Sequence, residues 1–280
     1  MLEFIEEYES AIRLSFFLGI LVIMGAWETL KPRRTLNLSR SYRWLNNLSL
    51  VVLNTLVVRL VFPTATIGMA VLANEQGWGI LSLLEWPPVL IVIFSVVVLD
   101  FMIWLQHVTV HAIPVLWLLH RVHHADPDYD VTTGLRFHPI EILLSMVIKF
   151  FVIIALGPPV VAVIIFEVIL NGMAMFNHSN VSLPKPIEKI LRLFIVTPDM
   201  HRVHHSVEDD ETNSNFGFNL SIWDKLFGTY KAQPRAGHDD MVIGINGFNK
   251  PEQVSRLIGL LNLPFKGRMK DYAINRRTWK

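Results

Sequence analysis

The residues best suited to chemistry are histidines. His120, His123 and His124 have the spacing H-x-x-H-H, and His201, His204 and His205 repeat it letter for letter as His-Arg-Val-His-His. His107 and His111 precede the first copy as H-x-x-x-H, while His138 and His178 stand singly between the copies. On a helix, residues three and four apart share a face, so each cluster can turn its imidazoles toward one point. Neutral imidazole is the commonest side-chain metal ligand. Ten are too many for one transition-metal ion, which takes about four to six ligands. The pattern implies two ions in an almost all-nitrogen shell. A lone histidine on an apolar face is more often a hydrogen-bonded core residue than a ligand, but a set of such residues leaves the repeat unexplained.

The elements that must position these rings are apolar. Hydrophobic residues make up 52% of the 280 and charged residues 18%, with a mean hydropathy of +0.41. A soluble domain is less apolar and more charged. A net charge of +1 gives no case for a nucleic-acid partner. The absence of cysteine excludes disulfides, thiolate zinc sites, cysteine-held iron–sulfur clusters and haem–thiolate chemistry. The first ten residues are acidic and do not read as a cleaved signal peptide. Runs of spanning length cover roughly residues 11–30, 47–72 and 87–111. Residues 140–157 and 159–178, separated by Gly157-Pro158-Pro159, form either two short spans or a hairpin that crosses only in part. The expected fold is an all-α integral membrane protein with four to five transmembrane helices and a cytoplasmic helical cap carrying the histidine-rich di-metal site.

Orientation follows from Lys31, Arg33, Arg34, Arg40 and Arg43 between the first two spans, set against Glu3, Glu6, Glu7 and Glu9 before them. The positive-inside rule places the basic loop in the cytoplasm. With five spans, all ten histidines then gather on that membrane face, although the topology was drawn from lysine and arginine alone. Two later stretches have helical apolar spacing: Ile187, Ile190, Leu191, Phe194 and Ile195, and then Val254, Leu257, Ile258 and Leu261. Each suits either a helix in the headgroup plane or an ordinary amphipathic helix packed on the cap. The basic tail after Lys266 suits anionic lipid or a solvated end.

Ionisable groups within spans are functional candidates. Asp100, seven residues before His107 and near the same helix face, is expected to hydrogen-bond the second nitrogen of a ligand ring. The plainer alternative is that Arg59, Asp100 and Glu167 neutralise one another. Asn177 and Asn215 are weaker candidates for holding a metal-bound water. Trp223 and Phe227 are expected to pack the cap, and His238, in a polar loop, to be no ligand.

The order of these motifs, with Arg136-Phe137-His138-Pro139-Ile140-Glu141, Asn177-His178-Ser179, Thr197-Pro198-Asp199-Met200, Asn215-Phe216-Gly217 and Trp223-Asp224-Lys225-Leu226-Phe227-Gly228 around them, resembles the fatty acid hydroxylase / sterol desaturase superfamily over about residues 95–231. The resemblance implies two metals, nominally iron with zinc as the alternative, held by His107, His111, His120, His123, His124, His138, His178, His201, His204 and His205. It implies dioxygen as co-substrate, no haem or flavin in this chain, a lipid substrate from the bilayer and a separate electron-donor protein. The division it suggests is two N-terminal spans over 1–86, a hydroxylase-like catalytic domain over 87–235, and a cytoplasmic tail over 236–280. The expected activity is hydroxylation, or else desaturation, of a lipid C–H bond, in a bacterial inner membrane or, in a eukaryote, the endoplasmic reticulum. A histidine-rich transporter or sensor would place ligands near mid-membrane, and a non-catalytic scaffold would close its site completely.

Overall fold

Apolar runs of spanning length form helices because no backbone donor or acceptor can be left unpaired in lipid. The computed structural model describes residues 8–248 and 250–266. Its main helices are α1 (Glu9–Leu30), α2 (Arg40–Val61), α3 (Ala65–Glu75), α4 (Pro88–Ala112), α5 (Pro114–His124), α6 (Pro139–Leu156), α7 (Val160–Asn177), α8 (Lys185–Leu191) and α9 (Pro198–His204). No strand occurs among the described residues beyond two isolated bridges. Five stretches are long and apolar enough to cross a membrane: α1, the run from α2 through α3 to Leu83, α4, α6 and α7.

The second span is broken where Pro63 cannot continue the hydrogen-bond ladder. Both pieces run alongside α6. Asn54 donates to the Phe137 carbonyl beside the start of α6, Phe62 meets Phe150 edge-on, and Asn74 donates to the Pro158 carbonyl past its end. At about 1.5 Å per residue an 18-residue helix is about 27 Å long, close to the ~30 Å hydrocarbon core. By length and composition, α6 and α7 are thus each able to cross a membrane. They reverse at Gly157, whose φ of 67° favours glycine. A Cβ at Gly79 would lie 2.1 Å from the Gly157 nitrogen, so the two glycines let these turns touch.

The bundle core joins Ala70 and Ala73 of α3, Leu99 and Ile103 of α4, Ile153 of α6 and Phe166 of α7. Leu21 and Met24 of α1 pack with Met175 of α7, so the first two spans belong to the same bundle as the histidine-bearing helices. Within it, Glu167 accepts from Lys149 at 3.0 Å and Thr66 at 3.2 Å, with Arg13 at 3.8 Å. Arg59 is exposed instead, and Asp100 is engaged elsewhere, so the three do not neutralise one another.

At the histidine end the segment between α5 and α6 is tied down by buried charge. Arg43 of α2 clasps Asp126 at 2.6 and 3.0 Å and also reaches Asp130, while Arg136 lies 3.3 Å from Asp126. The Arg136 guanidinium also donates to the Val122 and Val254 carbonyls. The stretch at 254–263 is packed inward, with Val254, Leu260 and Leu263 against Leu50 and Val122. Among its apolar residues, Ile258 is exposed. The stretch at 187–195 behaves differently, with Ile187, Ile190 and Phe194 exposed. The acidic residues Glu3, Glu6 and Glu7 and the basic tail after Lys266 lie outside the described residues.

Candidate metal centre

Four helices deliver the histidines to one end of the bundle. His107 and His111 lie on the last turns of α4. His120, His123 and His124 close α5, and His178 follows α7 directly. His201 and His204 sit on α9, with His205 as the residue after it. Both short ligand helices begin with proline at the first position, where its missing N–H costs nothing. The start of α9 is also capped, with the Thr197 hydroxyl accepting from the Met200 N–H at 3.3 Å.

Nine of the ten predicted rings assemble into two buried groups. His107, His111, His120, His124 and His204 form one, and His123, His178, His201 and His205 the other. Within each, the candidate ligand nitrogens lie within 4.8 Å of one another. The groups adjoin: the His124 and His205 rings stack with centroids 4.5 Å apart.

The hydrogen bonds of these rings test whether metal fits. His107 Nδ1–H donates to the Phe216 carbonyl at 2.7 Å, His204 Nδ1–H to the Ser214 carbonyl at 2.7 Å, and His120 Nδ1 lies 2.6 Å from Glu141 Oε1. An acceptor at Nδ1 fixes the tautomer and leaves the lone pair on Nε2. Yet His107 Nε2 stands 3.0 Å from His204 Nε2 and 3.1 Å from His120 Nε2. Three lone pairs at such distances repel unless a cation lies among them. With metal–nitrogen bonds of about 2.1 Å, two ligands about 90° apart on one ion would be separated by about 3.0 Å. In the second group His178 Nδ1–H donates to the Ala174 carbonyl, and His178 Nε2 lies 3.1 Å from His123 Nε2 and 3.0 Å from His201 Nε2. Both nitrogens of His205 are buried without a hydrogen-bond partner. The donor set fits two imidazole-bound ions.

Burial, and then the neighbouring rings, hold His123, His124, His201, His204 and His205 well below the ordinary imidazole pKa. Burial pushes His178 down to about 3. All six are therefore neutral near pH 7, the form that binds metal.

His138 stands outside both groups. Its Nδ1 accepts from the Ile140 N–H at 3.2 Å, capping α6, and its Nε2 faces the Leu261 carbonyl at 3.3 Å. Both nitrogens thus face backbone, and the ring is not brought together with the other nine. Asp100 meets no histidine. Its carboxylate accepts from Trp223 Nε1 at 2.8 Å and the Leu220 N–H at 3.3 Å, tying α4 to the segment that supplies the Phe216 carbonyl. Asp224 holds that segment from within, accepting from the Phe216 and Gly217 N–H groups at 2.8 Å each. Asn215 braces the Met200 and Lys231 carbonyls, and Asn177 donates to the Phe218 carbonyl. Trp223 and Phe227 pack with Phe101. His238 is buried near Asp199, outside both groups. The residue that sequence reading missed is Glu141. Its local signals are its place in the motif Arg136-Phe137-His138-Pro139-Ile140-Glu141 and its position as the acidic residue in the first turn of a largely apolar helix.

Residues 92–229 match the family model described as fatty acid hydroxylase, a segment that holds every histidine of both groups. The chain is 32% identical over 164 residues to ornithine lipid hydroxylase OlsE of Rhizobium tropici, covering 58% of this chain and 48% of that protein. It is 32% identical over 135 residues to human alkylglycerol monooxygenase, with 48% and 29% covered. Against the Caenorhabditis elegans alkylglycerol monooxygenase it is 31% identical over 190 residues, with 62% and 34% covered. The chain thus spans about half the length of these relatives, or less. No solved structure matches. Residues 92–229, with their two groups of buried histidines, thus form a segment of the fatty acid hydroxylase family.

Proposed function

We propose that this chain is a membrane-bound di-metal oxygenase that hydroxylates a C–H bond of a lipid. The observation that carries the reading is the convergence of imidazole lone pairs in two adjacent groups at the end of an apolar bundle. Bound transition-metal ions, nominally iron, would supply the reduction of dioxygen and the oxidation of an unactivated C–H bond. The relatives' names favour hydroxylation over desaturation and a lipid with a polar headgroup as substrate. Electrons would come from a separate donor protein.

The chain's own residues do the positioning. The Phe216 and Ser214 carbonyls and the Glu141 carboxylate hold three rings of the five-histidine group in one tautomer. The Ala174 carbonyl does so for His178. Phe218 against His107, Phe137 stacked on His123 and Trp117 against His111 wall the centre with apolar rings, which excludes water from a reaction that water would divert. The basic loop is at this end too: Arg33 N–H donates to the Asn180 carbonyl at 2.8 Å, and Arg43 binds Asp126. By the positive-inside rule the centre faces the cytoplasm, in a bacterial inner membrane.

Purified protein should contain close to two metal ions per chain, and His204→Ala should lower metal content and activity together. Lipids from cells expressing the chain under isotopically heavy dioxygen should carry the label as a new hydroxyl. An unlabelled lipid profile, identical with and without the chain, would refute oxygenation. Retention of both ions by His204→Ala would refute the ligand assignment.

A further inference from the structure

We infer that the chain touches the bilayer with a second surface, distinct from its spans: the exposed apolar face of α8 and of the short helix Ile222–Leu226, seated in the headgroup layer on the histidine side. Six large apolar side chains, Ile187, Ile190, Phe194, Ile222, Leu226 and Phe227, are 47–66% exposed there. The segments that carry them are joined. The Ser221 N–H donates to the Phe194 carbonyl, Ile195 and Leu220 form a bridge, and Lys225 Nζ reaches the Arg192 and Leu193 carbonyls at 2.7 and 2.9 Å.

Continuity with a spanning helix identifies the occupant. Phe227 stacks on Trp104 at 4.7 Å and on Phe101 at 5.9 Å, and Trp223 lies 5.0 Å from Phe101. Phe101 and Trp104 are on α4, two to three turns before its end at Ala112 and within its apolar stretch. The outward residues of that helix, Val89, Ile93 and Leu105 among them, are exposed to whatever surrounds the bundle. Through Trp223 and Phe227 the short helix Ile222–Leu226 thus adjoins the apolar stretch of α4, and α8 is tied to that helix. Lys185 and Lys189 are exposed on α8, where their ammonium groups can reach headgroups while the apolar residues enter the acyl boundary. Indole and phenyl rings at that level suit the membrane–water interface. An apolar face of this extent left in water would be an association site; against the bilayer it anchors the cap.

The chain has no cysteine, so single-cysteine variants can be spin-labelled cleanly. Ile190→Cys, Phe194→Cys and Leu226→Cys would be compared in the full chain with Leu105→Cys on α4 and with Asp239→Cys, an exposed polar position of the cap. The protein would be reconstituted in vesicles of phosphatidylethanolamine and phosphatidylglycerol. Relaxation by oxygen, which partitions into lipid, is measured against relaxation by a water-soluble nickel chelate. The three test sites should follow Leu105 in favouring oxygen, with Asp239 favouring nickel. Test sites that follow Asp239 would overturn the inference by placing the face in water. Sites shielded from both reagents would overturn it by placing the face against protein. Neither outcome depends on metal loading or catalysis.

Discussion

Replacing Glu141 by alanine tests how the centre is held. Glu141 Oε1 accepts from His120 Nδ1–H at 2.6 Å, and both residues are buried. Alanine leaves that N–H without an acceptor in an apolar surround, a cost of about 1–3 kcal/mol. The proton is then free to move to Nε2 and remove the lone pair from the centre. Loss of such an outer partner weakens metal binding about 10–100-fold, or about 1.4–2.8 kcal/mol at about 1.4 kcal/mol per tenfold. The two estimates agree in size. Because Glu141 touches a ring of the five-histidine group alone, the loss should be confined to one of the two ions. Glu141→Gln keeps an acceptor oxygen and should cost less than about tenfold. The assay is metal content after dialysis against graded chelator, with circular dichroism to confirm that the helices persist. Chelator resistance of both ions equal to the parent protein's would refute the argument. Equal loss of both ions with intact helices would refute the confinement to one group.

His138→Ala should retain both ions, because His138 lies outside the groups, yet lose about 1 kcal/mol of stability from the cap on α6, seen as a lower thermal midpoint in detergent. Arg43→Met leaves Asp126 and Asp130 buried with one cation fewer and should destabilise by about 3–5 kcal/mol, measurable as lower yield and earlier unfolding. Gly79→Ala should force the turns at Gly79 and Gly157 apart and lower the thermal midpoint, whereas Gly19→Ala, which meets nothing within 4 Å, should not. Stripping metal should lower the midpoint reversibly; reloading to about 1,000 times the dissociation constant should return about 4 kcal/mol. A midpoint indifferent to metal would argue against ions bound by the folded chain.

The clustering of the histidines was legible because a helix writes its geometry into spacing, but the division of each H-x-x-H-H was not: His120 and His124 join one group and His123 the other, and His204 parts likewise from His201 and His205. His178 was legible through its position between the copies. His138 looked equivalent in sequence, but its ring is spent on a helix start and on the carbonyl of Leu261, more than a hundred residues away. No local pattern reveals such a competing partner. Glu141 was hidden for the same reason, since its partner His120 is on a different helix. Asp100 shares a helix face with His107, but Trp223 and Leu220 claim its carboxylate first. The spans were plain from hydropathy. The break at Pro63 was absent from that reading, because α3 continues alongside α6 and the apolar run continues through it.

The dispersal of the centre along the chain has a consequence for biosynthesis. His107 leaves the ribosome before His205 by about 100 residues, or about 5–20 s at about 5–20 residues per second. Until α9 is made, the five-histidine group lacks His204, and the other group has at most His123 and His178. Arg43, synthesised earlier still, has no aspartate partner until Asp126 appears. A nascent chain thus carries first an unmatched cation and then, once Asp126 has joined Arg43, an incomplete set of buried histidines until α9 is complete.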